Sequence, residues 1–502
     1  MKRITLLLLV FTFGFAQAQT LEKKKITLRK NSAKDKLADF TYSFNSAQDE
    51  QNYYLFCKAH LVVYNRDYEK TLFIVNKNLT TVKAVELKFN KGENFHSVFF
   101  TNEHLCVVCD VYDKKGKEMN IIVKRYSKKT GVFVNNTTIA KFKAQSWKHY
   151  ASYSPDRTKY GVIFLAGNKN GEYEQFHAFV LDLDEGGQML WKATKRLQVS
   201  NKKFRTHRIS TSNNGKIYIT FSSSPENKRS SDQTTYIDLN QVGENENEHV
   251  AIPLDKSNEN IADLRTKTLK NGDLLFACLF AKEKESHPTH LQTIMFDAEN
   301  FKITNNSVSE IPKMETKSPV VMPYFGMIPT KHLYSMDISS IEELDNGEIA
   351  IVCEQARSTR YSGRNYDVMF YVRGDIMTAF LNKEGVVEHY DVFDRFQKAN
   401  KGRYLNTGVF TMGNQVCYLF NDHPNRFQAG KKDATFDGQN TNNAVIACNK
   451  ISNGNPVETV FITDKSGKAN KCFQNVLLKD GDKLLIVTGN SSTMDLEIIK
   501  LD

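Results

Sequence analysis

Five groups of residues have the types and spacing to do chemistry. Asp422 and His423, with Arg426 close behind, form a compact polar cluster. An acid beside an imidazole could move a proton or hold a metal. Cys106-Val-Val-Cys109 has the spacing of a redox or zinc pair, and His287-Pro-Thr-His290 that of a metal-binding histidine pair. Arg357, Arg360 and Arg364 surround Tyr361, and Tyr324-Phe325 sits among prolines and methionines. Arg, Tyr, Phe and Met are the residue types enriched at protein interfaces.

The elements that carry these residues favour plainer roles for several of them. Adjacent residues on a strand point apart, so Asp422 and His423 need not act together. Pro424 beyond them marks a turn capped by Asn421 or Asp422. Cys106 and Cys109 lie in a β-branched run that reads as strand. The HxxH spacing suits a metal on a helix, and His287 and His290 join two strands. No catalytic residue, metal site or cofactor emerges. A binding surface does, drawn from Arg357, Arg360, Tyr361, Arg364, Asp422, His423, Arg426, Tyr324 and Phe325.

Residues 1–18 read as an export signal. Lys2 and Arg3 precede an apolar run from Ile4 to Phe15, and Ala16-Gln17-Ala18 supplies small residues for cleavage. The run is about 12 residues long, against the roughly 20 needed to span a bilayer. No later stretch is apolar enough to span one, and no Cys near the cleavage site suggests a lipid anchor. The expected location is the periplasm or cell surface, with 19–502 as a single domain. The net charge of +11 comes from cations scattered among 57 acidic residues. That favours solubility over a nucleic-acid footprint, which needs clustering.

One pattern recurs along the chain: a turn with Gly or Asp, an apolar strand, a polar loop and a second apolar strand. Asn214-Gly215 precedes Ile217-Tyr-Ile-Thr-Phe221, Asn271-Gly272 precedes Leu274-Leu-Phe-Ala-Cys278, and Asn346-Gly347 precedes Ile349-Ala-Ile-Val-Cys353. Asn-Gly turns supply the positive φ that tight hairpins need. The repetition gives eight units of roughly 50 to 75 residues, a scale that points to a propeller or solenoid. Leu274, Phe276 and Cys278 point one way and Leu275 and Ala277 the other, so these strands are apolar on both faces. A blade stacked between two neighbours meets that condition.

The expected fold is therefore all-β: an eight-bladed propeller of four-stranded antiparallel sheets. Seven blades result if one irregular early unit is not a blade, and two smaller β domains meeting near Asn201 are the alternative. The last unit has three strands, and Lys25-Ile-Thr-Leu-Arg29 supplies a fourth that would close the ring. Helix is expected only within 315–331. The cysteines fall at matching positions of separate units and read as small buried hydrophobes. Cys417 and Cys448 are the one pair within a unit that could bridge.

Long connections at 312–332, 356–367 and 421–442 should emerge on one face of units five to seven and build a raised rim. Long loops on rigid scaffolds commonly carry function. The residues favour a non-catalytic propeller that docks an envelope protein or glycan there, within a periplasmic or outer-membrane complex. The alternative is an enzyme acting on glycan or peptidoglycan through carboxylates in the central channel. The sialidase Asp-box and kelch or WD repeats are absent, and only Trp147 and Trp191 stand where quinone-dependent propellers repeat Trp.

Three segments carry a resemblance. They are Asp345-Asn-Gly-Glu-Ile-Ala-Ile-Val-Cys-Glu-Gln355, Asp375-Ile-Met-Thr-Ala-Phe380 and Tyr418-Leu-Phe-Asn-Asp-His-Pro-Asn425. From Trp147 to Asp502 the chain resembles a family of uncharacterised exported proteins of Bacteroidota. That family has a Gly-Glu-Gln strand, a long variable loop, an Asp-Ile strand and a Phe-Asn-Asp-Asn-Pro turn. His423 stands where the family more often has Asn. The resemblance implies an exported, propeller-like protein and carries no activity.

Overall fold

The computed structural model describes the strands and most turns between residues 23 and 500. Residues 1–22, 31–39, 199–203, 224–235, 313–319, 323–325, 329–335, 363–366, 424–435, 438–444 and 462–470 lie outside the described residues, as do shorter stretches of other loops and 501–502. The expected export signal falls among them.

The chain forms eight four-stranded antiparallel sheets arranged as a β-propeller. Blades 1 to 7 span 40–86, 93–142, 146–196, 204–253, 258–310, 336–393 and 408–461, and blade 8 joins 471–500 to 23–30. The first strands of successive blades lie beside one another, so they surround the axis and the fourth strands form the outer wall. Among the described residues there is no helix. Where helix was expected, Val320–Met322 instead pairs with Gly326–Ile328 in a short hairpin. β-Branched Val320 and Val321 favour that outcome.

Packing follows from the two-faced strands. Leu274, Phe276 and Cys278 pack with Tyr218, Ile237 and Leu239 of blade 4. Leu275, Ala277 and Leu279 pack with Ile338, Ile349 and Ile351 of blade 6. Each seam between consecutive blades has its own apolar cluster of this kind. The turns that start these strands behave as their sequences require: Gly272 and Gly347 take φ values of +96° and +82°, which a side chain would resist.

The ring closes through the chain ends. Lys23–Lys30 pairs with the last strand, from Lys23 opposite Ile499 to Lys30 opposite Thr493. Thr27 Oγ1 donates to Asp495 Oδ1 at 2.8 Å, and Lys25 Nζ lies 2.7 Å from Asp495 Oδ2. Blade 8 is then clasped to blade 1 by Asp480, whose carboxylate accepts from Lys77 Nζ at 2.8 Å, Tyr53 OH at 3.0 Å and Gln48 Nε2 at 3.2 Å. These bonds, Lys77 foremost, hold the Asp480 carboxyl below its ordinary range despite partial burial. Elsewhere on the rim, turns reach the next blade: Lys270 N donates to Glu343 Oε2 at 2.7 Å, and Asn346 N to Asn414 Oδ1 at 2.9 Å.

Leu28 of the closing strand is buried against Tyr53, Leu55, Leu485 and Leu496. Leu28→Ala should therefore cost about 2–5 kcal/mol in urea denaturation. Hydrogen exchange should show the loss first in 483–489 and 493–500. Uniform loss over all eight blades would contradict closure at this seam.

Candidate functional site

Blade 6 departs from its neighbours. Its second and third strands, Ile349–Ser362 and Asp367–Leu381, run 14 and 15 residues. Second strands of the other blades run 7 to 10. Pairing continues past a bulge between Glu354 and Ala356, from Ala356 opposite Arg373 to Ser362 opposite Asp367. The expected loop 356–367 is thus a hairpin that extends the blade. Val368, Phe370, Tyr371 and Val372 are strand formers, which explains the difference.

The fourth strand of blade 6 covers only Ile376 to Leu381 of the third. Beyond it, Gln397–Ala399 takes over that edge, with Arg373 opposite Gln397 and Tyr371 opposite Ala399. Gln397 and Lys398 then pair in parallel with Phe436 and Asp437, from the connection between the second and third strands of blade 7. Connections from two blades are joined into one small accessory sheet.

A buried arginine roots this sheet. Arg395, 2% exposed, lies on the connection from blade 6 to blade 7. Its guanidinium donates to Glu354 Oε1 and to Thr407 Oγ1, and its Nε donates to the Gly374 carbonyl at 3.1 Å. Thr407 Oγ1 in turn donates to Glu354 Oε1 at 2.8 Å. The Arg395 backbone N–H donates to Asp375 Oδ1 at 2.9 Å, and the Asp375 N–H to Gln355 Oε1 at 3.1 Å. Phe420 lies under the guanidinium at 5.7 Å. The Gln397 side-chain amide donates to the Asn421 carbonyl. A charge so buried persists only when paired and hydrogen-bonded, as this one is.

The three segments singled out in the sequence therefore meet: Glu354-Gln355, Asp375 and Phe420-Asn421 gather around Arg395 and its neighbour Gln397. Neither Arg395 nor Gln397 was among the expected site residues. The available signal was an acid bordering a largely apolar run, Glu354 after 349–353 and Asp375 before 376–381, which demands a nearby buried donor.

The expected site residues divide. Arg357, Arg360 and Tyr361 lie on the extended strand, opposite Val372, Met369 and Val368. Asp422 ends the second strand of blade 7, fully buried, and its Oδ1 accepts the His423 backbone N–H at 2.8 Å, as a turn-capping acid does. Burial lowers the His423 pKa. Arg364, Arg426, Tyr324, Phe325 and His287 lie outside the described residues.

The seven described cysteines are buried and in no disulfide, Cys417 and Cys448 included, so the bridge left open by the sequence does not form. Cys448 stands opposite Leu419 and Cys417 opposite Lys450, a diagonal offset across the strand pair. Cys106 packs toward blade 3 and Cys109 toward blade 1, and burial pushes both thiols up to about 12. Among the described residues no three His, Cys, Asp or Glu side chains are grouped as a metal site.

A second polar group lies between blades 2 and 3. His96 is the extra residue of a bulge in the first strand of blade 2, and its Nε2 lies 2.6 Å from Oδ2 of the fully buried Asp110. Asn94 Nδ2 donates to the other Asp110 oxygen at 2.6 Å. The His149 ring, from blade 3, stands 4.8 Å from that of His96 and 5.2 Å from Phe164. Burial, helped by the neighbouring His96, pushes the His149 pKa down to about 3.

Two outcomes follow. Arg395→Ala strips buried Glu354 of its close guanidinium partner, leaving the Thr407 hydroxyl at 2.8 Å and Arg373 at 3.8 Å, and should cost about 3–5 kcal/mol. Exchange protection should fall along 356–362 and 367–373, and a double Arg395→Met, Glu354→Leu variant should recover part of the loss. At His149 the unfolded chain takes a proton near pH 6.5 that the native protein refuses until about pH 3. Stability should therefore fall as pH drops through that window, by about 1.4 kcal/mol per pH unit from this group. His149→Gln should flatten the pH curve by that amount, and parallel curves would contradict the assignment.

No protein-family model matches this sequence, and no curated protein matches it. Solved structures are similar to it. The β-propeller domain of the Trilobed protease from Pyrococcus furiosus is 10% identical, with 86% of this chain and 97% of that chain covered at a TM-score of 0.35. A prolyl endopeptidase is 8% identical at a TM-score of 0.41, covering 90% of this chain, which spans only 55% of that one. Polysaccharide lyase Uly1 is 10% identical, with 81% and 90% covered, at a TM-score of 0.38. At this identity and superposition the likeness does not extend to chemistry.

Proposed function

We propose that this chain is a non-catalytic docking propeller of the cell envelope, exported by residues 1–18, which binds a protein partner on the accessory sheet over blades 6 and 7. One observation carries the reading: that sheet is joined from two blades and rooted on the buried Arg395–Glu354 pair. A recognition surface gains affinity when its shape is set before binding, because less ordering is left for the encounter. Arg357 and Arg360 lie on one of its two long strands, and Arg is a residue type that dominates interface energetics. The competing reading is an enzyme working on glycan through carboxylates near the axis. It has the Asp110–His96 pair in its favour, one carboxylate where glycoside cleavage commonly uses two about 5–10 Å apart.

The test replaces Arg357, Arg360 and Arg364 together with Ala in a tagged, chromosomally expressed copy. The protein that copurifies with the wild type is then titrated in purified form against both. Binding should weaken by about a hundredfold, or about 2.7 kcal/mol, with an unchanged melting temperature. Unchanged affinity overturns this surface, and recovery of a glycan in place of a protein overturns the partner class.

A further inference from the structure

A cavity of about 400 Å³ opens on the outer wall between blades 1 and 2, far in the chain from the accessory sheet. Its sides are the end of the fourth strand of blade 1, with the residues that follow, and the third and fourth strands of blade 2. Pockets for small ligands run from roughly 300 to 1,000 Å³.

The floor is built, not merely vacant of side chains. Lys124, 4% exposed, gives one N–H to Glu93 Oε2 at 2.8 Å and one to the Lys88 carbonyl at 3.4 Å. Asn90 holds the same carboxylate from the other side, with its backbone N at 2.7 Å and its Nδ2 at 2.8 Å. An ammonium has three donors, so Lys124 has one N–H beyond these two hydrogen bonds, at the cavity wall, where its Nζ lies 5.2 Å from the centre of the Phe89 ring and 5.7 Å from that of Phe133. Beside it Phe133 is 47% exposed and is met edge-on by Tyr126 at 5.7 Å. Tyr126 OH is already committed to the Lys88 carbonyl at 3.1 Å.

The rim supplies both signs and both hydrogen-bonding roles. Glu86, Lys88 and Asn136 line it, are exposed, and have side chains without a hydrogen-bond or ion-pair partner among the described residues. A wholly apolar ligand would strip water from the Lys124 donor and this rim without replacing it. A strongly charged ligand would meet a floor where Lys124 and Glu93 cancel and a rim where Lys88 and Glu86 do. A ring with an apolar C–H face and a belt of neutral hydroxyls satisfies every group. We propose that this cavity is a saccharide site, taking a neutral pyranose over Phe133 with a hydroxyl on Lys124.

The probes are the methyl glycosides of glucose, galactose, mannose and N-acetylglucosamine, observed by saturation-transfer NMR on the full chain. At least one should bind saturably. Phe133→Ala should weaken it about tenfold, Phe133→Trp should retain it, and Asn136→Ala should weaken it less. Both positions are exposed, so the fold should persist, and the melting temperature checks that it does. No saturable binding by any of the four, or affinity unchanged in both Phe133→Ala and Asn136→Ala, overturns the proposal. Replacing the arginines of the accessory sheet should leave this binding untouched, which separates the two surfaces.

Discussion

The whole structure depends on one constraint: each sheet is greasy on both faces and must be covered on both. A strand such as Leu274–Lys282 buries alternate residues against two different neighbours, blade 4 on one side and blade 6 on the other. Each fully buried Leu, Ile or Phe contributes about 1.5–3 kcal/mol, so a sheet with an open face would forfeit a large sum. Stacking in a row would leave two terminal sheets exposed. Bending the row into a ring removes both ends, and the eighth cluster, where Leu28 meets Tyr53 and Leu485, completes it. The N-terminal strand, hydrogen-bonded into blade 8, and the Asp480 clasp hold that last seam together.

Among the described residues, three charged sets enter these seams with their partners. Lys124 with Glu93, Asp110 with His96, and Arg395 with Glu354 each occupy a boundary between consecutive blades or the connection across it. Such pairs return little net stability, because desolvation offsets most of the attraction. What they supply is geometry. Each admits one arrangement of donors and acceptors, and each lies beneath a surface feature: a cavity over Lys124, a bulge at His96, an accessory sheet over Arg395. Hydrophobic packing holds the ring together, and the polar sets fix particular side chains and connections upon it.

Blade 6 shows how a repeat acquires an individual surface. The disc needs only the inner half of its second and third strands. The outer half continues pairing because its residues favour strand, and its free edge is then covered by Gln397–Ala399 and, through it, by Phe436–Asp437. An uncovered edge of that length would invite pairing with other chains. Leu405, from the same connection, is buried in the cluster between blades 8 and 1, so this segment also ties blade 7 to the closure.

Much of this was legible in the amino-acid order, because it is written in short periods. Asn271-Gly272 and Asn346-Gly347 announce hairpins, the runs that follow are apolar at every position, and Lys25–Arg29 stands as a strand with no partner nearby. Those local facts suffice for an eight-bladed ring closed by its first strand, and they place Cys278 and Cys353 as buried equivalents. Tertiary structure alone decided the rest. An Arg in a polar connection looks the same in sequence whether solvated or sealed, and only the fold brings Glu354, Asp375 and Thr407 around Arg395. The pairing of Gln397 with both Arg373 and Phe436 joins residues distant in sequence, and no local period records it. The cavity over Lys124 depends on Lys88 arriving from the connection after blade 1 and Glu93 from the start of blade 2. Burial and pairing across seams are properties of neighbours in space, and that is where the candidate sites are made.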